Sequence, residues 1–340
     1  MRTIYSSVHG AHRPSHEFEH GRLSPAVEIP ERAERVRAEI EARKLGPVAG
    51  PKHFPDSDVF AAHDRSLVNF LSSAYQAWHA QFGDVDAIAS AWPARGMGIR
   101  DAGDIEARLG AFSFDTATPI MRGTWKAARE AADVALSAAE VVEGGNHAFA
   151  LTRPPGHHAS ANVFGGYCYL NNIAIAAAWL AKKGRRVALL DVDYHHGNGT
   201  QAIFYSRSDV LFVSIHADPS FAFPHFLGYS DESGAGAGLG FNLNVPLPAG
   251  TDWLKYREAL GHAIRKIAEF GADALLVSLG LDTFEDDPIA RFALKRRDYL
   301  KLGKVIADLK LPTAFVFEGG YNVEALGEIT ANVLEGFADG

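Results

Sequence analysis

From about residue 124 to the end, the chain alternates two kinds of pattern. Short, nearly continuous apolar runs rich in β-branched and aromatic residues fall at 147–152 (HAFALT), 186–192 (RVALLDV), 209–215 (DVLFVSI), 273–279 (DALLVSL) and 312–317 (PTAFVF). Such runs predict strands covered on both faces. Longer stretches of helical character lie among them, at about 124–143, 171–183, 252–270, 296–310 and 322–336. The alternation predicts a parallel sheet sheathed in helices, an α/β architecture. The stretch 79–120 breaks the pattern: it is rich in Gly, Ala, Trp and Pro without a clean period, and it reads as a long insertion leaving the sheet. No internal repeat, low-complexity tract or Pro-rich linker divides the 340 residues, so one domain spanning 1–340 is expected.

The chemistry sits at the ends of these apolar runs. The first run leads into Arg153-Pro-Pro-Gly-His157-His158, the second into Asp191-Val-Asp193-Tyr-His195-His196, and the third into His216. The fourth leads into Asp282 and the fifth into Glu318-Gly-Gly-Tyr321. All of these lie at carboxyl ends, which in an open parallel sheet share the edge where ligands bind.

In an extended segment alternate residues share a side, so Asp191, Asp193 and His195 project together. With Asp282 they form an Asp-His-Asp set whose oxygen and nitrogen donors suit zinc or a similar divalent ion; iron or cobalt fits the same donors. Three protein ligands leave open positions, the mark of a catalytic site. Cleaving an amide also needs a proton carrier and a donor to the developing oxyanion. His157 and His158, on a path stiffened by Pro-Pro-Gly, suit the first task, and the hydroxyl of Tyr321, after Gly319-Gly320, suits the second. Asp191 and Asn198 are candidate partners to orient the histidines.

Composition narrows the picture. With 33 basic and 41 acidic residues the formal net charge is -8, which argues against a nucleic-acid partner and mildly favours cationic substrates. The lone cysteine, Cys168, rules out an intramolecular disulfide. No signal-peptide core opens the chain, and the apolar stretch IAIAAAWLA is too short to span a bilayer, so a soluble cytoplasmic protein is expected, without a membrane partner. The sequon-like Asn198-Gly199-Thr200 is then incidental. The glycine run at 234–240 is expected to be a flexible loop, since no strand precedes it and no helix comes after it. The histidines at 9, 12, 16 and 20 read as a surface arm, and Glu285-Asp286-Asp287 as a solvated rim.

The segments PPGHHA, FGGYCYLNN, DVDYHHGNGTQ, SLGLDTF and EGGYN together resemble the arginase–deacetylase fold, and most closely the bacterial acetylpolyamine amidohydrolases, relatives of class II histone deacetylases. The resemblance runs over nearly the whole chain and implies a mainly parallel sheet of about eight strands. It implies that Asp193, His195 and Asp282 bind one zinc, that His158 is the general base and then acid, and that His157 gives electrostatic support. It pairs His157 with Asp191 and His158 with Asn198, and has Tyr321 polarise the substrate carbonyl. Tyr167 and Phe223 become walls of a narrow tunnel, with Gly166 and Cys168 at its inner end. It further implies a homodimer through 79–120 and a structural potassium at Asp191, Asp193, His195 and Ser214.

One departure stands out. Of the insertion glutamates that face the distal ammonium groups of a polyamine, one is matched by Glu106, while the second falls on Ala117, with Asp115 two residues away. The expected function is zinc-dependent deacetylation of N-acyl amines, acetylpolyamines or related small amines foremost. The alternatives are a deacetylase of acetyl-lysine or another non-polyamine amine, a two-manganese guanidine hydrolase, and a non-catalytic metal-pocket receptor.

Overall fold

The computed structural model describes residues 1–19, 21–98 and 103–340. Its strands are β1 (Arg2–Ile4), β2 (His16–Glu19), β3 (Arg22–Pro25), β4 (Val48–Ala49), β5 (Ala148–Ala150), β6 (Val187–Asp191), β7 (Val210–Ala217), β8 (Asn242–Leu247), β9 (Ala274–Leu279) and β10 (Thr313–Phe317). Its helices are α1 (Glu31–Ala42), α2 (Asp56–Val59), α3 (Arg65–Phe82), α4 (Ile105–Phe112), α5 (Thr124–Glu143), α6 (Asn172–Lys182), α7 (Asn198–Phe204), α8 (Trp253–Phe270), α9 (Arg296–Ala307) and α10 (Val323–Ala338).

Eight strands form one sheet in the order β4-β1-β5-β10-β9-β6-β7-β8, and every neighbouring pair in it is parallel. The remaining two, β2 and β3, make a separate antiparallel hairpin. The five runs read from the sequence occupy the contiguous middle, β5-β10-β9-β6-β7.

The pleat divides the apolar residues between two cores. Val187 and Leu189 of β6 pack with α3, α5 and α6 on one face, while Ala188 and Leu190 pack with α8, α9 and α10 on the other. That two-sided burial is why these strands read as continuous apolar runs rather than alternating ones. Helix starts are set by polar caps: Asp252 accepts from the amides of Leu254 and Lys255 at 3.1 and 3.2 Å, and Asn322 accepts from Ala325 N at 3.1 Å. Gly271, left-handed at φ 69°, ends α8.

Several expectations change. The stretch 79–120 holds the end of α3 and all of α4, and an antiparallel bridge joins Ala87 to Ile120. The glycine run contains a single tight turn at Gly236–Gly238. The histidine arm is not a surface feature: His9 and His12 are buried, and only His16 among the described ones is exposed. Both are drawn inward by polar partners, since His9 Nε2 lies 3.0 Å from Glu34 Oε1 and His12 Nδ1 lies 3.0 Å from Thr124 Oγ1. His20 lies outside the described residues. Asp287 does not belong to a solvated rim, because only Glu285 and Asp286 are exposed there. Among the described residues, no helix is long and apolar enough to cross a membrane.

Candidate active site

β6 ends at Asp191, and the residues after it leave the pleat. Asp193 and His195 are brought to one side by consecutive turns, each closed by a carboxylate. Asp191 Oδ1 accepts from Asp193 N at 3.1 Å, and Asp193 Oδ1 accepts from His195 N at 2.9 Å. The two-residue spacing therefore works through side-chain-to-backbone turns rather than through strand alternation. Asp282, beyond β9, crosses to meet them: its Oδ1 accepts from Tyr194 N at 2.8 Å, and its Oδ2 lies 2.9 Å from His195 Nδ1.

The donor atoms of Asp193, His195 and Asp282 lie within 4.8 Å of one another. Two glycines border them. A β-carbon on Gly319 would sit 2.6 Å from Asp193 Oδ2 and 2.7 Å from Asp282 Oδ2, and one on Gly280 would overlap Asp193. Gly319 instead gives its amide to Asp193 Oδ2 at 2.9 Å. Two buried carboxylates and an imidazole around a glycine-lined cradle fit a divalent cation. Burial and the neighbouring Asp193 together push Asp282 up to about 7, while His157 and His195 hold Asp193 low despite its burial.

The two histidines after β5 stand side by side, ring centroids 4.0 Å apart, in opposite electrostatic settings. His157 Nδ1 is 3.0 Å from Asp191 Oδ2. Burial opposes its charge, but Asp193 and Asp191 overcome it and raise His157 to about 10. His158 Nδ1 is 2.7 Å from Asn198 Oδ1, an amide oxygen that only accepts, so Nδ1 carries the hydrogen and Nε2 keeps its lone pair. Burial, then the charges of His157 and His195, hold His158 well below its ordinary value. The pair thus separates into a charged and a neutral member.

Beneath this loop lies an anchor that the sequence did not disclose. Buried Glu28 binds Arg153 Nε at 2.7 Å and Arg32 Nη1 at 2.9 Å. Arg153 leads into the histidines, and it also donates to the carbonyls of His9 and His12 at 2.9 and 2.7 Å. Arg32 donates to the carbonyls of Gly320 and Glu318 at 2.6 and 2.5 Å, and its guanidinium lies 4.7 Å from the Tyr321 ring centroid. Glu318 Oε2 in turn accepts from Gly156 N at 2.6 Å and His157 N at 3.2 Å, locking the two loops together. Asp287 Oδ2 accepts from Tyr321 N at 2.8 Å. Arg32 sits within ERAERVRAEI and Asp287 within EDD, so neither was distinguishable from a surface charge by its local pattern.

These groups face a cavity of about 320 Å³ lined by His158, His195, Tyr321, Gly166, Tyr167 and Phe223, among others. Phe223 meets the His158 ring edge-to-face at 5.0 Å, and Tyr167 meets Tyr321 at 5.7 Å. Gly166 is required where it stands, because a β-carbon there would overlap the His158 ring. The next residue, Tyr167, holds the left-handed φ of 65°, rare for a bulky side chain, and its amide is fixed on Thr118 Oγ1 at 2.9 Å. Cys168 is buried behind the wall, with Sγ 3.2 Å from Gly166 O.

The cavity lining does not include Glu106, which is exposed at the start of α4 and accepts from Ser90 Oγ at 2.5 Å. Ala117 and Asp115 do line it. Asp115 is occupied by backbone: its Oδ2 accepts from Gly166 N and its Oδ1 from Ala117 N at 3.1 Å. Ser214, the remaining residue named for potassium, pairs in register with Asp191 and places its hydroxyl 2.8 Å from His216 Nδ1.

The chain matches the family model of the histone deacetylase domain over residues 23–337. It is 50% identical over 339 residues to acetylpolyamine amidohydrolase 2 of Pseudomonas aeruginosa, covering 99% of this chain and 98% of that protein. It is 44% identical to the acetylpolyamine amidohydrolase of Mycoplana ramosa, covering 99% and 100%. The crystal structure of the acetylpolyamine aminohydrolase from Burkholderia pseudomallei superimposes with a TM-score of 0.95 at 40% identity, over 99% of this chain and 98% of that one.

Proposed function

This chain belongs to the histone deacetylase domain family and is a hydrolytic deacetylase, and from that premise we propose that it is a zinc-dependent amidohydrolase acting on small N-acetylated amines, acetylpolyamines foremost. Asp193, His195 and Asp282 would hold the ion. When bound, such an ion polarises an acyl carbonyl and brings the pKa of a coordinated water from 15.7 to about 7.

The chain's own groups supply the rest. His158 Nε2 takes a proton from the attacking water and returns it to the amine nitrogen as the carbon–nitrogen bond breaks, so that one water and one amide give a carboxylic acid and an amine. Asn198 fixes the tautomer this requires. His157, held charged by its carboxylates, supplies a fixed positive charge beside the reacting centre. Tyr321 offers its hydroxyl to the carbonyl oxygen, its main chain clamped by Asp287 and Arg32. Tyr167 and Phe223 form an aromatic sleeve for the alkyl chain, with Gly166 admitting the acetyl end. A homodimer through 79–120, a cytoplasmic setting and a potassium ion near Asp191 and Ser214 belong to the same reading, as what the motif resemblance implies.

The observation that carries the proposal is the His158–Asn198 pair, which leaves a basic nitrogen on a residue lining the same cavity as Tyr321 and His195 of the metal cluster. The test uses zinc-loaded protein with N-acetylputrescine, N-acetylcadaverine, acetylspermidines and a fluorogenic acetyl-lysine peptide. Tyr321→Phe should retain metal and lose about 10²–10³-fold in kcat, as removal of an oxyanion donor does elsewhere. Absence of turnover on every acetylated amine, with zinc bound, refutes the reading.

A further inference from the structure

Resting on the deacetylase reading, the proton carrier His158 needs more than its hydrogen bond to Asn198, because both members of that pair sit on irregular backbone. His158 lies in the loop after β5, and Asn198 is the first residue of α7. A single buried side chain touches both segments. The Nδ2 of Asn171 lies 2.9 Å from Ala159 O, the carbonyl of the residue after His158. The same nitrogen lies 3.0 Å from Thr200 Oγ1, two residues past Asn198. Asn171 and Thr200 are both fully buried, so neither bond competes with solvent.

The orientation of the Asn171 amide is fixed by its other contacts. Its Oδ1 caps α6 by accepting from Ala174 N at 3.0 Å, and its own N donates to Nε2 of buried His63 at 2.8 Å. A carboxamide has two hydrogens on nitrogen and none on oxygen, so with the oxygen committed to the cap both hydrogens go to Ala159 and Thr200. Thr200 extends the clamp backward, because its N donates to His157 O at 3.1 Å. The segments are also in direct contact: a β-carbon on Gly199 would sit 2.3 Å from Ala159 O. One amide thus sets the main chain of His158 and the helix turn of Asn198 against each other.

We propose that Asn171 is a positioning residue for deacetylation, holding the His158 ring and the Asn198 carboxamide in mutual register through Ala159 O and Thr200 Oγ1 without touching substrate.

Two substitutions separate this role from capping. Asn171→Asp keeps the capping oxygen and the volume, but an ionised carboxylate only accepts and is set against the Ala159 carbonyl. Asn171→Ser keeps a good cap and loses the reach. In each, kcat on N-acetylputrescine should fall about 10²-fold, as small misplacements of a reacting group do, with KM little changed. For Asn171→Asp the ratio of variant to wild-type kcat should rise as pH falls. Burial lifts the introduced carboxyl, and its protonated form regains a hydrogen to donate; Asn171→Ser should show no such rise. Asn171→Ser in an Asn198→Ala background should cost little beyond Asn198→Ala alone, because the pair it positions is already gone. Rates near wild type in both variants, or losses that multiply with Asn198→Ala, overturn the proposal.

A second readout is independent of turnover. The Nδ1–H proton of His158, assigned in histidine-labelled protein by its loss in His158→Gln, reports the 2.7 Å bond to Asn198. It should move upfield or broaden in Asn171→Ser, and an unmoved signal overturns the positioning role. Zinc-loaded parent protein that hydrolyses no acetylated amine refutes the deacetylase reading instead, while the proton signal still decides whether Asn171 sets the pair.

Discussion

At the floor of the cavity, charged groups are held by other buried groups; at its mouth, side chains face solvent with few partners. His157, His158, Asp193 and Asp282 are each less than 5% exposed and rest on Asp191, Asn198 and two glycines. Arg291 and His225 line the cavity and are exposed, and Ala117 offers no polar atom beyond its backbone. The difference separates what the two regions decide. A floor whose protonation states are set by neighbours leaves little room for change, and a mouth lined by single exposed residues leaves much more. Changes at the floor should therefore cost much in rate or stability, and changes at the mouth should cost little of either.

The largest effect tests the floor directly. Chelation should lower deacetylation by roughly 10³-fold or more, since Lewis-acid stabilisation is worth several kcal/mol and each 1.36 kcal/mol is tenfold. Adding back one divalent ion per chain should restore it, and elemental analysis of the active protein should give that stoichiometry. Full activity in metal-free protein would remove the Asp193-His195-Asp282 cluster from the chemistry.

The next effect is on stability. Glu28 is the shared partner of Arg32 and Arg153, all of them 1% exposed or less. Glu28→Ala leaves two buried guanidiniums without their carboxylate and should cost about 3–5 kcal/mol by chemical denaturation, as breaking a buried ion pair does. Because Arg153 leads into His157 and Arg32 holds the Tyr321 loop, kcat should fall with it. A loss under about 1 kcal/mol would show that water or another group satisfies the arginines, and that the floor is less rigidly supported than the contrast with the mouth requires.

That network also marks the boundary of what the residue pattern disclosed. The five central strands and the helices around them were legible because burial on both faces makes an apolar run long enough to detect. β1 and β4 span three and two residues, too short to carry a period, and β8 alternates Asn with apolar residues as an edge strand does. The metal cluster was legible because its members come just after strand ends, although turns rather than the pleat bring Asp193 and His195 together. Glu28, Arg32, His9, His12 and Asp287 were not. Their burial depends on partners 25 or more residues away in several cases, such as Arg32 with Gly320 and His9 with Glu34, and local sequence cannot report a long-range partner.

The smallest effect sharpens the comparison from the other side. Phe226 is 88% exposed in the segment that begins with the tunnel wall Phe223, and its amide bonds only to Pro224 O at 2.8 Å. An aromatic ring that buries so little area contributes little to folding, so Phe226→Ser should change stability by no more than about 0.5 kcal/mol. Thermal unfolding at several protein concentrations makes the measurement informative in either direction. A near-zero change independent of concentration shows that Phe226 is a residue the fold does not need. A larger loss that depends on protein concentration identifies a second chain covering this face, since only an associated state ties stability to concentration, and the mouth would then be completed by another subunit.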